Sequence, residues 1–204
     1  MILVPNATPG LFLSCFYFYV PVKPPLFATF SLVDRLKIAL ATLGGVGFSP
    51  KMPGTIGSFA ALAPIALATA LVDKAGAGFT GLSLIVAIGI VSALLVGLWV
   101  VPVMEKHWGN DPGCVVIDEF VGMWVVLLFV LLNPLFPHSL PQLFIWMTLG
   151  FALFRLFDIT KPFPIYRLNE QKGAFFVMFD DVLAGLYACG GLFFIWLTWQ
   201  QFEK

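Results

Sequence analysis

The chain has 204 residues, 60% of them hydrophobic and 11% charged, with a formal net charge of zero and a mean hydropathy of +0.97. Soluble domains carry about one-quarter charged residues, so this composition excludes an ordinary water-soluble domain and points to a bilayer as solvent. Zero net charge gives no field to draw nucleic acid, and Cys15, Cys114 and Cys189, far apart in apolar surroundings, read as packing residues rather than a disulfide framework or a zinc site.

In chain order, residues 1–32 hold an apolar run at 11–20, broken by Pro21, Pro24 and Pro25, which is too short for a membrane span. No Lys or Arg precedes that run, so it lacks the cationic start of a secretory signal. The charged stretch Asp34-Arg35-Leu36-Lys37 reads as an independent beginning. Residues 1–32 are therefore expected to be a dispensable N-terminal extension and 33–204 a single membrane-embedded domain.

A spanning helix needs roughly 20 predominantly apolar residues. Apolar runs at 55–72, 81–104, 114–132, 142–159 and 177–199 predict an all-α, polytopic membrane bundle of about five transmembrane helices. The connector 133–141 has no Lys or Arg, whereas 160–172 carries Lys161, Arg167 and Lys172, which assigns the latter to the cytoplasm. Alternation then puts 105–113 and the Arg35, Lys37 and Lys51 stretch on the same cytoplasmic side, with 73–80 and the C-terminus opposite.

Charged groups inside spans cost about 2.5 to 3.5 kcal/mol at a helix centre and mark function. Here they are Asp118, Glu119, Arg155, Asp158, Asp180 and Asp181, all at the predicted cytoplasmic ends of three helices. Carboxylates gathered at one level repel each other unless a cation compensates them, and oxygen-only ligands suit a hard ion such as magnesium, usually shared with substrate phosphate. Arg155 and Asp158 share a helical face, as would Lys161 if the helix ran on, so Arg155 and Lys161 are placed to bind phosphate oxygens beside Asp158. Pro162 and Pro164 should end that helix.

The loop 44–58 is rich in glycine and contains Ser49, Thr55 and Ser58. A helix opening at Thr55 or Ser58 would aim its positive end at an anion, which makes these three candidate phosphate ligands; close helix packing is the competing use of the same glycines. His107 and His138 fall on opposite predicted sides, which argues against a phosphohistidine route. Cysteine-phosphatase spacing and an Asp-x-Asp phosphate acceptor are both missing. Metal-assisted attack by water, with a carboxylate as base, is the route that remains.

Four blocks then carry a resemblance: Gly47-Phe48-Ser49-Pro50 with Pro53-Gly54-Thr55-x-Gly57-Ser58; Asp118-Glu119-Phe120-x-Gly122-Met123-Trp124; Phe154-Arg155-x-x-Asp158-x-x-Lys161-Pro162-x-Pro164; and Asp180-Asp181-x-x-Ala184-Gly185. In this order, over about residues 35–190, the chain resembles the bacterial phosphatidylglycerophosphatase A family. The resemblance implies an all-helical enzyme at the inner membrane's cytoplasmic face. It further implies a magnesium-dependent reaction that converts phosphatidylglycerophosphate to phosphatidylglycerol and inorganic phosphate, in phospholipid biosynthesis. By position it assigns acidic site residues to Asp118, Glu119, Asp158, Asp180 and Asp181 and basic ones to Arg155 and Lys161, with Asp111 as a further acid ahead of the third helix. We expect Glu119, Asp158 and Asp181 to be the main metal ligands and Asp118 or Asp180 the base.

The family often has a glycine-rich approach to its last acidic pair, whereas this chain has only Gly173 there, followed by bulky residues. A membrane phosphotransferase that uses CDP-lipids is the nearest rival, but its single long acidic motif is missing. A small ion-coupled transporter is the other, and its carboxylates should approach the midplane rather than crowd one end.

Overall fold

The structure, a computed structural model, describes residues 30–64, 78–136 and 140–202, and all regular structure among them is helical. Ser31 starts α1 (Leu32–Ala41): its Oγ accepts the Asp34 N–H at 3.1 Å, satisfying one of the donors a helix start leaves free. A 3-10 turn (Val46–Phe48) leads to α2 (Pro53–Ala60), which opens on a proline whose missing N–H costs nothing at that position. Then follow α3 (Gly78–Trp108), α4 (Ile117–Leu132), α5 (Leu140–Thr160), the short α6 (Ile165–Asn169) and α7 (Ala174–Phe202).

Three of these helices have the length and apolarity to cross a bilayer, over Thr80–Trp108, Pro141–Thr160 and Ala174–Gln201. They contain the expected runs 81–104, 142–159 and 177–199, each extended by a few residues. On α3 the residues Leu84, Ile88, Val91 and Leu95 share one face and are exposed, which suits contact with lipid tails.

The other two expected spans come out differently. The run 114–132 yields a 16-residue α4 that begins only at Ile117. At 1.5 Å per residue it is about 24 Å long, short of a roughly 30 Å hydrocarbon core. It starts late because the Val116 N–H is engaged by the Ala41 carbonyl at 3.0 Å, pinning the entry to α4 against the end of α1. The expected span 55–72 begins earlier than predicted, at Pro53, and its first helix gives way to a turn at Ala61–Leu62. The rest of that span (65–72), nearly all of the expected extension (1–29), connector residues 73–77, His138 and the last two residues of the C-terminal tail lie outside the described residues.

α4 is the axis of the bundle. Val121, Met123, Val126, Leu127 and Val130 are fully buried on it, and it packs against α2, α3, α5 and α7. Protein rather than lipid therefore surrounds it, which is why it can be short. Trp124 Nε1–H donates to the Ala61 carbonyl at 2.9 Å, using a backbone acceptor that the turn after α2 sets free.

The crossing of α4 over α7 depends on two glycines. A Cβ on Gly185 would lie 2.7 Å from the Gly122 carbonyl oxygen, and one on Gly122 would lie 2.8 Å from the Asp181 carbonyl oxygen and 2.4 Å from the Phe154 ring. Small residues at such a crossing let helix backbones touch. Because Gly122 follows Asp118-Glu119 by one turn, and Gly185 follows Asp180-Asp181 likewise, the same close approach brings the two acidic pairs together.

Candidate active site

At one end of the bundle the start of α4, the end of α5 and the early part of α7 converge. Asp118 and Glu119 occupy the first turn of α4, where the helix's positive end favours carboxylates, and Asp118 Oδ1 accepts the Glu119 N–H at 3.0 Å. Asp180 and Asp181 repeat that local pattern on α7, with the Asp181 N–H donating to Asp180 Oδ1 at 3.0 Å. In each pair, the first acid is tied to its neighbour's backbone N–H.

One carboxylate oxygen from each of Asp118, Glu119 and Asp181 lies within 4.8 Å of the others. Asp158 stands beside this group: it interacts electrostatically with Glu119 and Asp181, while its Oδ2 is paired with Arg155 Nη1 at 2.6 Å. Arg155 Nη1 also reaches Glu119 Oε1 at 3.9 Å and donates to Ser58 Oγ at 3.5 Å. Two buried polar atoms here, Glu119 Oε2 and Arg155 Nε, have no hydrogen-bond partner among the described residues. A buried acceptor next to clustered carboxylates and a buried donor on a guanidinium are what a cation and an anion would satisfy.

The glycine-rich loop enters the site through packing. A Cβ on Gly54 would lie 2.3 Å from Glu119 Oε1 and 3.1 Å from Arg155 Nη1, so α2 approaches the acidic centre with no side chain between. Ser58 is fully buried, donates to the Gly54 carbonyl at 2.7 Å and accepts from Arg155. Thr55 is half-buried on the same helix, and Ser49 donates to the Lys51 carbonyl at 3.1 Å within its loop. Ser58 thus contacts the charged centre through Arg155.

Lys161 departs from the geometry expected of a continued helix. α5 stops at Thr160, Lys161 takes φ 40°, and its ammonium is paired with Asp180 Oδ2 at 2.6 Å and hydrogen-bonded to Asn169 Oδ1. Burial disfavours that ammonium, but Asp180, reinforced by Asp181 and Asp158, outweighs it and holds Lys161 above the ordinary lysine range. Asp111, at φ 47° in the loop before α4, is within electrostatic reach of Lys161 and Asp158. Asn169 had no signal in the sequence, being one polar residue in a polar connector.

Arg155 and Asp158 are each shielded, with side chains 16% and 14% exposed. Arg155→Met would leave Asp158 without its cation, a loss of about 3 kcal/mol or more for a pair this buried. The expected outcome is a lower unfolding temperature in detergent, with Arg155→Lys recovering much of the stability because it keeps the charge.

Fold and site together define a helical membrane protein with a close, shielded group of carboxylates beside a guanidinium at one end of its bundle. A family model described as phosphatidylglycerophosphatase A matches residues 39–196, and the chain belongs to that family. It is 35% identical to the phosphatidylglycerophosphatase A of Escherichia coli over 81% of this chain and 90% of that protein. Identity to the Haemophilus influenzae protein of the same name is 35%, over 78% of this chain and 86% of that one. A Bacteroides thetaiotaomicron protein provisionally named a phosphatidylinositol-3-phosphatase is 39% identical over 75% of this chain and 89% of its own length. No solved structure matches the chain.

Proposed function

We propose that this chain is a magnesium-dependent lipid phosphatase that removes the terminal phosphomonoester of phosphatidylglycerophosphate, giving phosphatidylglycerol and inorganic phosphate for phospholipid synthesis. The observation that carries the reading is the close group of Asp118, Glu119 and Asp181, with the unpartnered Glu119 Oε2 inside it and the unpartnered Arg155 Nε beside it. Asp118, Glu119 and Asp181 would hold the metal, with Asp158, in electrostatic reach of Glu119 and Asp181, as a further candidate. When bound, magnesium would neutralise the carboxylates and the phosphoryl oxygens and lower the pKa of a bound water.

The chain's own residues supply the rest. Arg155, steadied by Asp158 and Ser58, turns its free Nε–H to the phosphoryl group, where negative charge must be held as the bond to the lipid oxygen breaks. Ser49 and Thr55, on the loop and helix that lead to Ser58, would be further phosphate donors. Asp180, outside the group of three, is the carboxylate left to take the proton of the attacking water. The leaving lipid alkoxide takes up a proton, so the products are an alcohol and phosphate. The cation-rich connectors at this end support a site at the cytoplasmic face of the inner membrane.

The resemblance to the Bacteroides protein favours a second substrate, phosphatidylinositol 3-phosphate, which presents the same phosphomonoester on a different headgroup. Purified protein in mixed micelles should release phosphate from phosphatidylglycerophosphate; chelation with EDTA should abolish release, and added magnesium should restore it. Faster release from phosphatidylinositol 3-phosphate would move the assignment to the second substrate. No metal-dependent release from either lipid would end the phosphatase reading.

A further inference from the structure

Asn169 belongs to none of the four sequence blocks, yet its side chain completes the surroundings of Lys161. The Lys161 N–H still bonds the Phe157 carbonyl at 2.8 Å, so the helical turn closes before the backbone swings to φ 40° and Pro162 prevents any further turn. The side chain is thereby aimed across the gap between α5 and α7. There its ammonium meets Asp180 Oδ2 from α7 and Asn169 Oδ1 from the last residue of α6.

An ammonium has three N–H donors on a flexible stem. A single tether to Asp180 would let the group swivel about that bond. With two donors engaged, the direction of the third is fixed.

We propose that Asn169 is a positioning residue, which locks Lys161 against Asp180 and so aims the remaining Lys161 N–H at the substrate's phosphoryl group. This rests on the phosphatase reading above. It accounts for α6, five residues long and separate from the acidic pairs in sequence, as the element that delivers one amide oxygen to the edge of the site.

The test compares Asn169→Leu, which keeps the size and removes the acceptor, with Asn169→Asp, which keeps the acceptor. Asn169→Leu should lower kcat about tenfold with KM nearly unchanged, the consequence of losing one hydrogen bond to a charged group. Asn169→Asp should keep kcat close to the parent value.

A second readout does not depend on turnover. Trace acetylation with acetic anhydride, read by mass spectrometry against the exposed Lys51, should label Lys161 severalfold faster in Asn169→Leu and at the parent rate in Asn169→Asp. Unchanged Lys161 labelling in Asn169→Leu overturns the proposal whatever the activity. Faster labelling with undiminished kcat overturns the aiming role. If the parent protein releases no phosphate, the phosphatase reading fails and the labelling alone decides whether Asn169 holds Lys161.

Discussion

Asp181→Asn should lower kcat by about three orders of magnitude while leaving the metal-free protein at least as thermally stable as the parent. Both halves follow from the same geometry. Asp181 is 4% exposed and contributes one of three carboxylate oxygens lying within 4.8 Å of each other. Without a cation, those groups repel one another and resist burial, so exchanging one for a neutral amide of equal size removes an unfavourable term. With magnesium the balance reverses. The parent should gain stability with the logarithm of the magnesium concentration above Kd, since a ligand that binds only the folded state raises its stability by RT ln(1 + [L]/Kd). The variant loses most of that gain together with its turnover. Thermal unfolding in EDTA and then in a magnesium series, alongside phosphate release, gives both quantities. A variant that kept the parent's magnesium-dependent rise in unfolding temperature would show that Asp181 is no ligand, even if activity fell.

The pattern of what could be read from the sequence has a physical basis. Long apolar runs need no partner to identify them, because burying backbone polar groups in lipid forces a helix; α3, α5 and α7 were legible for that reason. Charged residues inside those runs stood out by their cost, which made Asp118, Glu119, Arg155, Asp158, Asp180 and Asp181 visible as a set. What stayed hidden depends on tertiary contact. The short α4 reads as a span by composition, but its start is set by the Val116 bond to the Ala41 carbonyl on a distant helix. The shared helical face of Arg155 and Asp158 made their pairing legible, but helical phase alone does not reveal that Asp118 joins Glu119 and Asp181. Lys161 reads as a phosphate-binding residue on the face of Asp158, and only the turn at φ 40° directs it to Asp180. The glycines of the loop 44–58 suggest an anion cradle equally well. In the structure Gly54 makes room for Glu119 and Arg155, so its first contribution is close approach.

The second large effect tests whether helix packing builds the site. Gly185→Ala adds one methyl group 2.7 Å from the Gly122 carbonyl oxygen, a backbone atom that cannot turn aside. α4 and α7 must then separate, and overpacking of this kind costs roughly 1 to 3 kcal/mol. Asp181 lies one turn from the clash, so separation also widens the group that Asp181 forms with Asp118 and Glu119; we expect kcat to fall at least about tenfold, since small misplacements of catalytic groups carry such penalties. Gly190→Ala, five residues further along the same helix, is the matched control. Outside its own helix turn, no atom of the described residues lies within 4 Å of its added methyl, and alanine is the better helix former by about 1 kcal/mol, so stability should hold or rise and activity stay intact. Unfolding temperatures and phosphate release for the two variants separate a general intolerance of side chains on α7 from a specific need for contact at the crossing. If Gly185→Ala were as stable and active as Gly190→Ala, the acidic pairs would have to be brought together by something other than the Gly122–Gly185 contact. If only Gly185→Ala fails, two residues that carry no chemistry set the spacing of those that do.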